Sequence, residues 1–216
     1  MTNILQQKMS GRFVVLDGPD GCGKSTQSAM LAQYLQAAGV QTVSFRDPGT
    51  TAIGEKIREI LLNPAHDQMD LRTEVLLYMA ARAQLWTECI APALQQGKCV
   101  ILDRWLSSTC AYQGYAGGFG IDKVINLACC SLERLWPDMT VILDADLTTS
   151  TKRLKNIPDR MEQKGEDYHQ KVRQGFLEFA TINKHHIVVI NALAPIDEVH
   201  IHIKDIINNA DFRGTV

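Results

Sequence analysis

Eight residues, Gly18-Pro19-Asp20-Gly21-Cys22-Gly23-Lys24-Ser25, constrain this chain more than any other stretch. They fit G-x-x-x-x-G-K-[ST], follow the apolar run Phe13-Val14-Val15-Leu16, and open into a segment of helical period over residues 25–38. Glycines at 18, 21 and 23 let backbone N–H groups turn inward around an anion, and a helix starting there adds the positive end of its dipole. The pattern predicts a nucleotide site built by Gly18, Pro19, Asp20, Gly21, Cys22, Gly23, Lys24, Ser25 and Thr26. Lys24 reaches the β- and γ-phosphates, and the Ser25 hydroxyl is the first protein ligand of Mg²⁺.

The rest of the chain reads as a frame for that loop. Apolar runs at 14–17, 40–45, 99–102, 140–143 and 187–190 predict five short strands. Helical patterns at 23–38, 53–62, 71–96, 106–112 and 121–135 lie between them, with Gly39 and Gly97 as stops and Asp70 as a cap. Strands separated by helices predict a parallel sheet covered on both faces, with ligands at the strands' C-terminal ends. With 216 residues, 45% of them hydrophobic and 21% charged, one compact domain is expected. A net charge of −2 without a block of Lys or Arg leaves no footprint for a nucleic-acid backbone, so the partner is a small molecule. Without a signal pattern or a long apolar run, and with six cysteines in no C-x-x-C pair, the composition suits a soluble protein of the reducing cytoplasm. Cys22 reads as a neutral filler of the loop.

Candidate chemistry gathers at the strand ends: Asp20 in the loop, Arg46 after the second strand, Asp103 and Arg104 after the third, and a charged stretch from Arg153 to Glu162 after the fourth. An apolar strand ending in Asp is the expected second Mg²⁺-organising element. Asp103 and Asp144 both qualify, and the neighbouring Arg104 favours Asp103. Tyr78 and Arg82, four apart on one helix face, could hold a base between them, although periodicity alone favours a half-buried Tyr and a surface Arg. The six histidines show no chelating spacing and are assigned to packing.

Taken together, these segments resemble the thymidylate kinase family over roughly residues 11–210. Asp17 to Thr26 is similar to the family's phosphate loop, and Arg46-Asp47-Pro48-Gly49-Thr50-Thr51 to its R-E-P-G-G-T. Residues 74–85 resemble its base-binding helix, Asp103-Arg104-Trp105 with Ser108 to Gly114 its D-R-[YH] and S-T-x-A-Y-Q-G segment, and Asp159-Arg160-Met161-Glu162 its D-R-I-E. The resemblance implies a P-loop, nucleoside-monophosphate-kinase-like three-layer sandwich around a five-stranded parallel sheet. It implies a single domain over 1–216 with a short lid near 153–165, transfer of phosphate from ATP to dTMP with Mg²⁺, and a homodimer. Arg46 and Arg104 would hold the dTMP phosphate, Asp20 would meet the sugar 3′-hydroxyl side, and Tyr78 would stack on thymine. Arg82 would bond its edge, Thr109 would touch the base, Tyr112 would crowd the sugar 2′ position, and Gln113 would be a further substrate-binding residue. Some relatives carry an Arg where this chain has Gly21, so the lid residues Arg153 and Arg160 would join Lys24, Arg104 and Asp20 as the catalytic set. The rivals are a P-loop kinase of another small acceptor and a regulatory NTPase that hydrolyses nucleotide without one.

Overall fold

The computed structural model describes residues 2–146, 148–149, 158–182 and 187–212. Strands β1 (Phe13–Asp17), β2 (Thr42–Arg46), β3 (Cys99–Asp103), β4 (Met139–Asp144) and β5 (Ile187–Asn191) form one sheet in the order β2-β3-β1-β4-β5, every neighbouring pair parallel. The three inner strands are buried nearly throughout, because both of their faces are covered, whereas β2 and β5 at the edges are buried only in part. Period-two alternation divides them between two cores. Phe13, Val15, Val100, Leu102 and Ile142 face one side, and Val14, Leu16, Ile101, Val141 and Leu143 face the other.

The first core is closed by α4 (Leu71–Leu85), α7 (Ile121–Ser131) and α8 (Glu166–Ile182), which contribute Val75, Met79, Val124, Phe176 and Phe179. The second lies under α1 (Thr2–Met9), α2 (Lys24–Ala37) and α9 (Ile196–Asn209), through Met9, Leu31, Leu35, Val199 and Ile203. Helices α1, α8 and α9 are not among the elements expected above. Between strands and outer helices lie α3 (Ala52–Leu62), capped by Thr51, α5 (Ala91–Gln95) and α6 (Leu106–Thr109). Asp70 caps α4 as expected, its side chain accepting from the Arg72 N–H at 2.9 Å. No helix among the described residues is long and apolar enough to cross a membrane.

Two expected helices are wound differently from a plain α-helix. The segment 71–96 passes through a π-turn at Trp86–Ile90, where the Ala91 N–H reaches back five residues to the Trp86 carbonyl. Pro92 explains it, since a proline ring is excluded from the regular i−4 register and the wider turn accommodates it. The segment 106–112 turns from α6 into a second π-segment, Cys110–Ala116, closed by the Gly117 N–H on the Tyr112 carbonyl at 2.8 Å. Helix α7 ends at Ser131 and not at 135, because Leu132 is already extended.

The second π-segment is pressed against α8 at Gly175. A β-carbon there would stand 2.9 Å from Tyr115 Cβ and 3.0 Å from the Ala111 backbone. Gly175→Ala is therefore expected to lower unfolding free energy by about 1–3 kcal/mol through overpacking. Urea denaturation measures this, and an unchanged midpoint would contradict the close approach.

Candidate active site

The C-terminal ends of β1, β2, β3 and β4 meet at one edge of the sheet, with Arg46 opposite Asp103 and Leu16 opposite Asp103 in register. Gly18 leaves β1 with φ of 140°, and a β-carbon on it would meet the Leu143 carbonyl at 2.5 Å, so only glycine lets the loop pass β4. Gly23, at φ of 103°, turns the chain into α2. Lys24 arches back over the loop, its ammonium donating to the carbonyls of Pro19 (2.7 Å) and Gly18 (3.1 Å). Cys22 is buried beneath it and burial pushes its thiol pKa up, which fits a filler and not a nucleophile.

Asp17 ties this loop to the segment after β3. Its fully buried carboxylate accepts from the Gly18 N–H (2.9 Å), from the Trp105 and Ser108 N–H groups (3.3 and 3.0 Å) and from the Ser107 and Ser108 hydroxyls (2.5 and 2.6 Å). Arg104 sits at φ of 69°, a conformation costly for a non-glycine residue. Its guanidinium is held through both terminal nitrogens: it donates to the Gly18 carbonyl (3.1 Å) and the Ser108 hydroxyl (2.9 Å), pairs with Asp20, and lies over the Tyr112 ring. The Tyr112 hydroxyl donates to the other Asp20 oxygen at 2.6 Å. Burial alone would raise the Asp20 pKa, but Arg104, Lys24 and the Tyr112 hydroxyl outweigh it and hold the carboxyl at about 2. Burial, reinforced by Asp20, raises the Tyr112 phenol, so it stays a neutral donor.

Beside this knot lies a pocket walled by Asp47, Pro48, Arg58, Tyr78, Arg82, Thr109, Tyr112, Gln113, Asp159 and Met161. Arg82 is 1% exposed, contrary to the surface position that periodicity favours. It pairs with Asp47 (2.6 Å) and donates to the Thr109 hydroxyl (2.9 Å) and the Trp105 carbonyl (3.2 Å). Such a charge is tolerated inside only because Asp47 is buried beside it. Tyr78 is half-buried along the same wall. Arg46 pairs with both oxygens of Glu55 (3.0 and 3.2 Å), and that pair is about half exposed. Arg58 donates to the Pro48 carbonyl, and burial followed by the guanidiniums of Arg46 and Arg104 pushes its pKa down. Three arginines close enough to repel one another mark a place for an anion.

Toward the phosphate loop, the Ser25 hydroxyl donates to Asp103 at 2.7 Å. Asp144, the competitor, is taken up by two guanidinium nitrogens of Arg173 at 2.6 and 2.7 Å. A hydroxyl and a carboxylate at the mouth of a phosphate loop are the hard oxygen donors that suit Mg²⁺.

Arg160 does not stand free over this loop. Its side chain is 6% exposed, its Nε donates to the Leu61 carbonyl (2.7 Å), and its terminal nitrogen pairs with Glu74 at 2.6 Å. Glu74 also accepts from the Gln113 amide at 2.7 Å. Arg153 and Lys155 lie outside the described residues, as do His185 and His186. The sequence reading did not single out Asp17, Asp47, Arg58 or Glu74. Asp17 stands directly before the loop and Arg58 four residues after Gly54, but nothing in their spacing distinguishes them from a strand-end carboxylate and a helix-face cation.

Comparison with known proteins agrees with this geometry. The family model described as thymidylate kinase matches residues 16–203. A thymidylate kinase of Geobacillus sp. is 40% identical over 195 residues, covering 88% of this chain and 93% of that protein. One of Lactobacillus acidophilus is 43% identical over 196 residues, covering 88% and 91%. The crystal structure of thymidylate kinase from Ehrlichia chaffeensis matches with a TM-score of 0.75 at 31% identity, covering 92% of this chain and 99% of that one.

Asp17→Asn keeps the shape but turns an amide N–H toward groups that already donate. We expect a loss of about 2–5 kcal/mol in unfolding free energy, because buried donors then lose their acceptor. Chemical denaturation reads it, and a change under about 0.5 kcal/mol would remove Asp17 from its central place.

Proposed function

The chain belongs to the thymidylate kinase family and phosphorylates dTMP with ATP as donor, and from that premise we propose how its residues divide the work. The observation that carries the division is the position of Arg104, which touches the phosphate loop through the Gly18 carbonyl and the acceptor pocket through Asp20 and Ser108 at once. A cation in that place belongs between donor and acceptor phosphates.

Lys24 and the backbone N–H groups of residues 20–26 bind the donor phosphates, Lys24 exchanging its carbonyl partners for phosphate oxygens. Ser25 and Asp103 would hold a Mg²⁺ ion, which would supply positive charge against the donor phosphates. Arg46, Arg58 and Arg104 bind the acceptor phosphate. Arg46 is suited to trade partners because its Glu55 pair is solvent-exposed and therefore weak. Tyr78 stacks on the pyrimidine, Arg82, Thr109 and Gln113 meet its edge, and Asp20 meets the 3′-hydroxyl side of the sugar. Tyr112, fixed by its bond to Asp20 and backed by Phe176, places its ring where a 2′-hydroxyl would project. A phosphate monoester oxygen is already nucleophilic at neutral pH, so no general base is needed; positioning and countercharge do the work.

A further cation for the transferring group is assigned to Arg153 on the resemblance of its segment to the family lid. Arg160, first expected to share that role, is reassigned to a support beside the acceptor pocket, its guanidinium being committed to Glu74 and the Leu61 carbonyl. We place the whole in one domain with a lid near 153–165, acting in the cytoplasm as a homodimer. The exposed Ile53, Ile60 and Leu76 of α3 and α4 are available as the apolar part of a dimer face. A regulatory NTPase has no use for the walled pocket beside the loop, so the kinase reading is preferred.

Two measurements check this reading. ADP release should depend on dTMP, and Lys24→Ala should lower turnover by about 10²-fold or more, the usual loss for one electrostatic contact to developing charge. Near-normal turnover would refute the loop assignment. For sugar selection, the ratio of kcat/KM for dTMP to that for its ribonucleotide analogue should fall by about tenfold in Tyr112→Ala, since a steric gate is removed. A ratio unmoved by the substitution would show that Tyr112 does not gate.

A further inference from the structure

Glu74 and Arg160 form a buried pair, 2% and 6% exposed at their side chains, joined to the acceptor pocket through Gln113 and with no part in the transfer described above. The pair is unusually constrained. Arg160 is fastened to the end of α3 twice, by its side chain to the Leu61 carbonyl (2.7 Å) and by its N–H to the Leu62 carbonyl (3.0 Å). Glu74 Oε2 faces that guanidinium, and Glu74 Oε1 accepts from Gln113 Nε2 at 2.7 Å. Gln113 is 1% exposed and is itself a wall of the pocket. Among the described residues no hydrogen bond is made to Gln113 Oε1.

A neutral carboxamide has a donor end and an acceptor end, and nothing in its shape decides which one faces a ligand. Here the decision is electrostatic. A carboxylate paired with a guanidinium only accepts, so it takes the Gln113 NH₂ group and turns the carbonyl oxygen toward the pocket. We propose that Glu74, held by Arg160, fixes the polarity of Gln113 so that the pocket presents an acceptor to the ring N–H of an imide pyrimidine and rejects a pyrimidine whose ring nitrogen is itself an acceptor. Glu74 and Arg160 are then positioning residues for acceptor selection and do not touch the reacting phosphates. This rests on the dTMP reading above.

The two roles open to Arg160 give opposite kinetics. In Glu74→Gln the new amide turns its oxygen to Arg160 and its NH₂ to Gln113, which reverses the polarity of Gln113. The expected result is a KM for dTMP raised about tenfold or more, with kcat and KM for ATP within about twofold, the pattern of a lost binding interaction that is uniform along the reaction. The ratio of kcat/KM for dTMP to that for dCMP should fall in the same variant. Arg160→Gln should share the phenotype, and Arg160→Lys, which keeps the charge beside Glu74, should recover most of the wild-type KM. The double variant Glu74→Gln with Arg160→Gln leaves no lone buried charge, so it carries the comparison if either single variant fails to fold. An unchanged KM and dTMP to dCMP ratio in folded Glu74→Gln would overturn the proposal, and so would a loss of kcat at constant dTMP KM in Arg160→Gln. Wild-type protein that fails to phosphorylate dTMP would instead refute the underlying reading, which separates the two failures.

Discussion

Burying the Asp17 carboxylate at the end of the central strand is costly, and the arrangement of the site follows from how that cost is offset. Five donors from two separated stretches converge on it. One is the first N–H of the phosphate loop; the other four belong to Trp105, Ser107 and Ser108, at the entry to the segment that builds the acceptor wall. Donor loop and acceptor wall are therefore set relative to each other by one side chain. The left-handed backbone at Arg104, strained by about 1 kcal/mol or more, persists because its guanidinium is held by Gly18, Ser108 and Asp20.

Exposure sorts the ion pairs of the site into two kinds. Arg82 with Asp47 and Arg160 with Glu74 are buried and hold other groups in place, since separating either would strand a charge inside the protein. Arg46 with Glu55 is half in water, where exchanging one partner for another changes the energy little. The first kind gives the pocket its shape and polarity. The second leaves a cation ready for a phosphate. Arg104 lies between them, part-buried and paired with Asp20, whose depressed pKa of about 2 keeps that link charged throughout the neutral range.

This division also marks how far the sequence could be read. The five strands were legible because each carries a short apolar run, in the inner three as a consequence of burial on both faces. The phosphate loop was legible because its glycines, Lys24 and Ser25 act through local spacing. Asp103 could be preferred to Asp144 from its neighbour Arg104, and the contacts to Ser25 and Arg173 separate the two in space. Arg82 could not be placed, because its burial depends on Asp47, 35 residues away, and no periodicity encodes that pairing. Asp17 and Arg160 were obscure for the same reason: their partners lie about 90 residues distant in the chain. The π-turns at Trp86 and Cys110 shift the hydrogen-bond register by a single residue, which is too slight to leave a mark on hydrophobic spacing.

If Asp17 and Arg104 bind the two halves into one unit, ordering one half must be felt in the other. Amide hydrogen exchange in the presence of dTMP alone, without ATP, reads this directly. The account predicts slowed exchange both in residues 104–113 of the acceptor wall and in residues 18–25 of the phosphate loop. Protection confined to 104–113, with the loop exchanging as in the free protein, would contradict it.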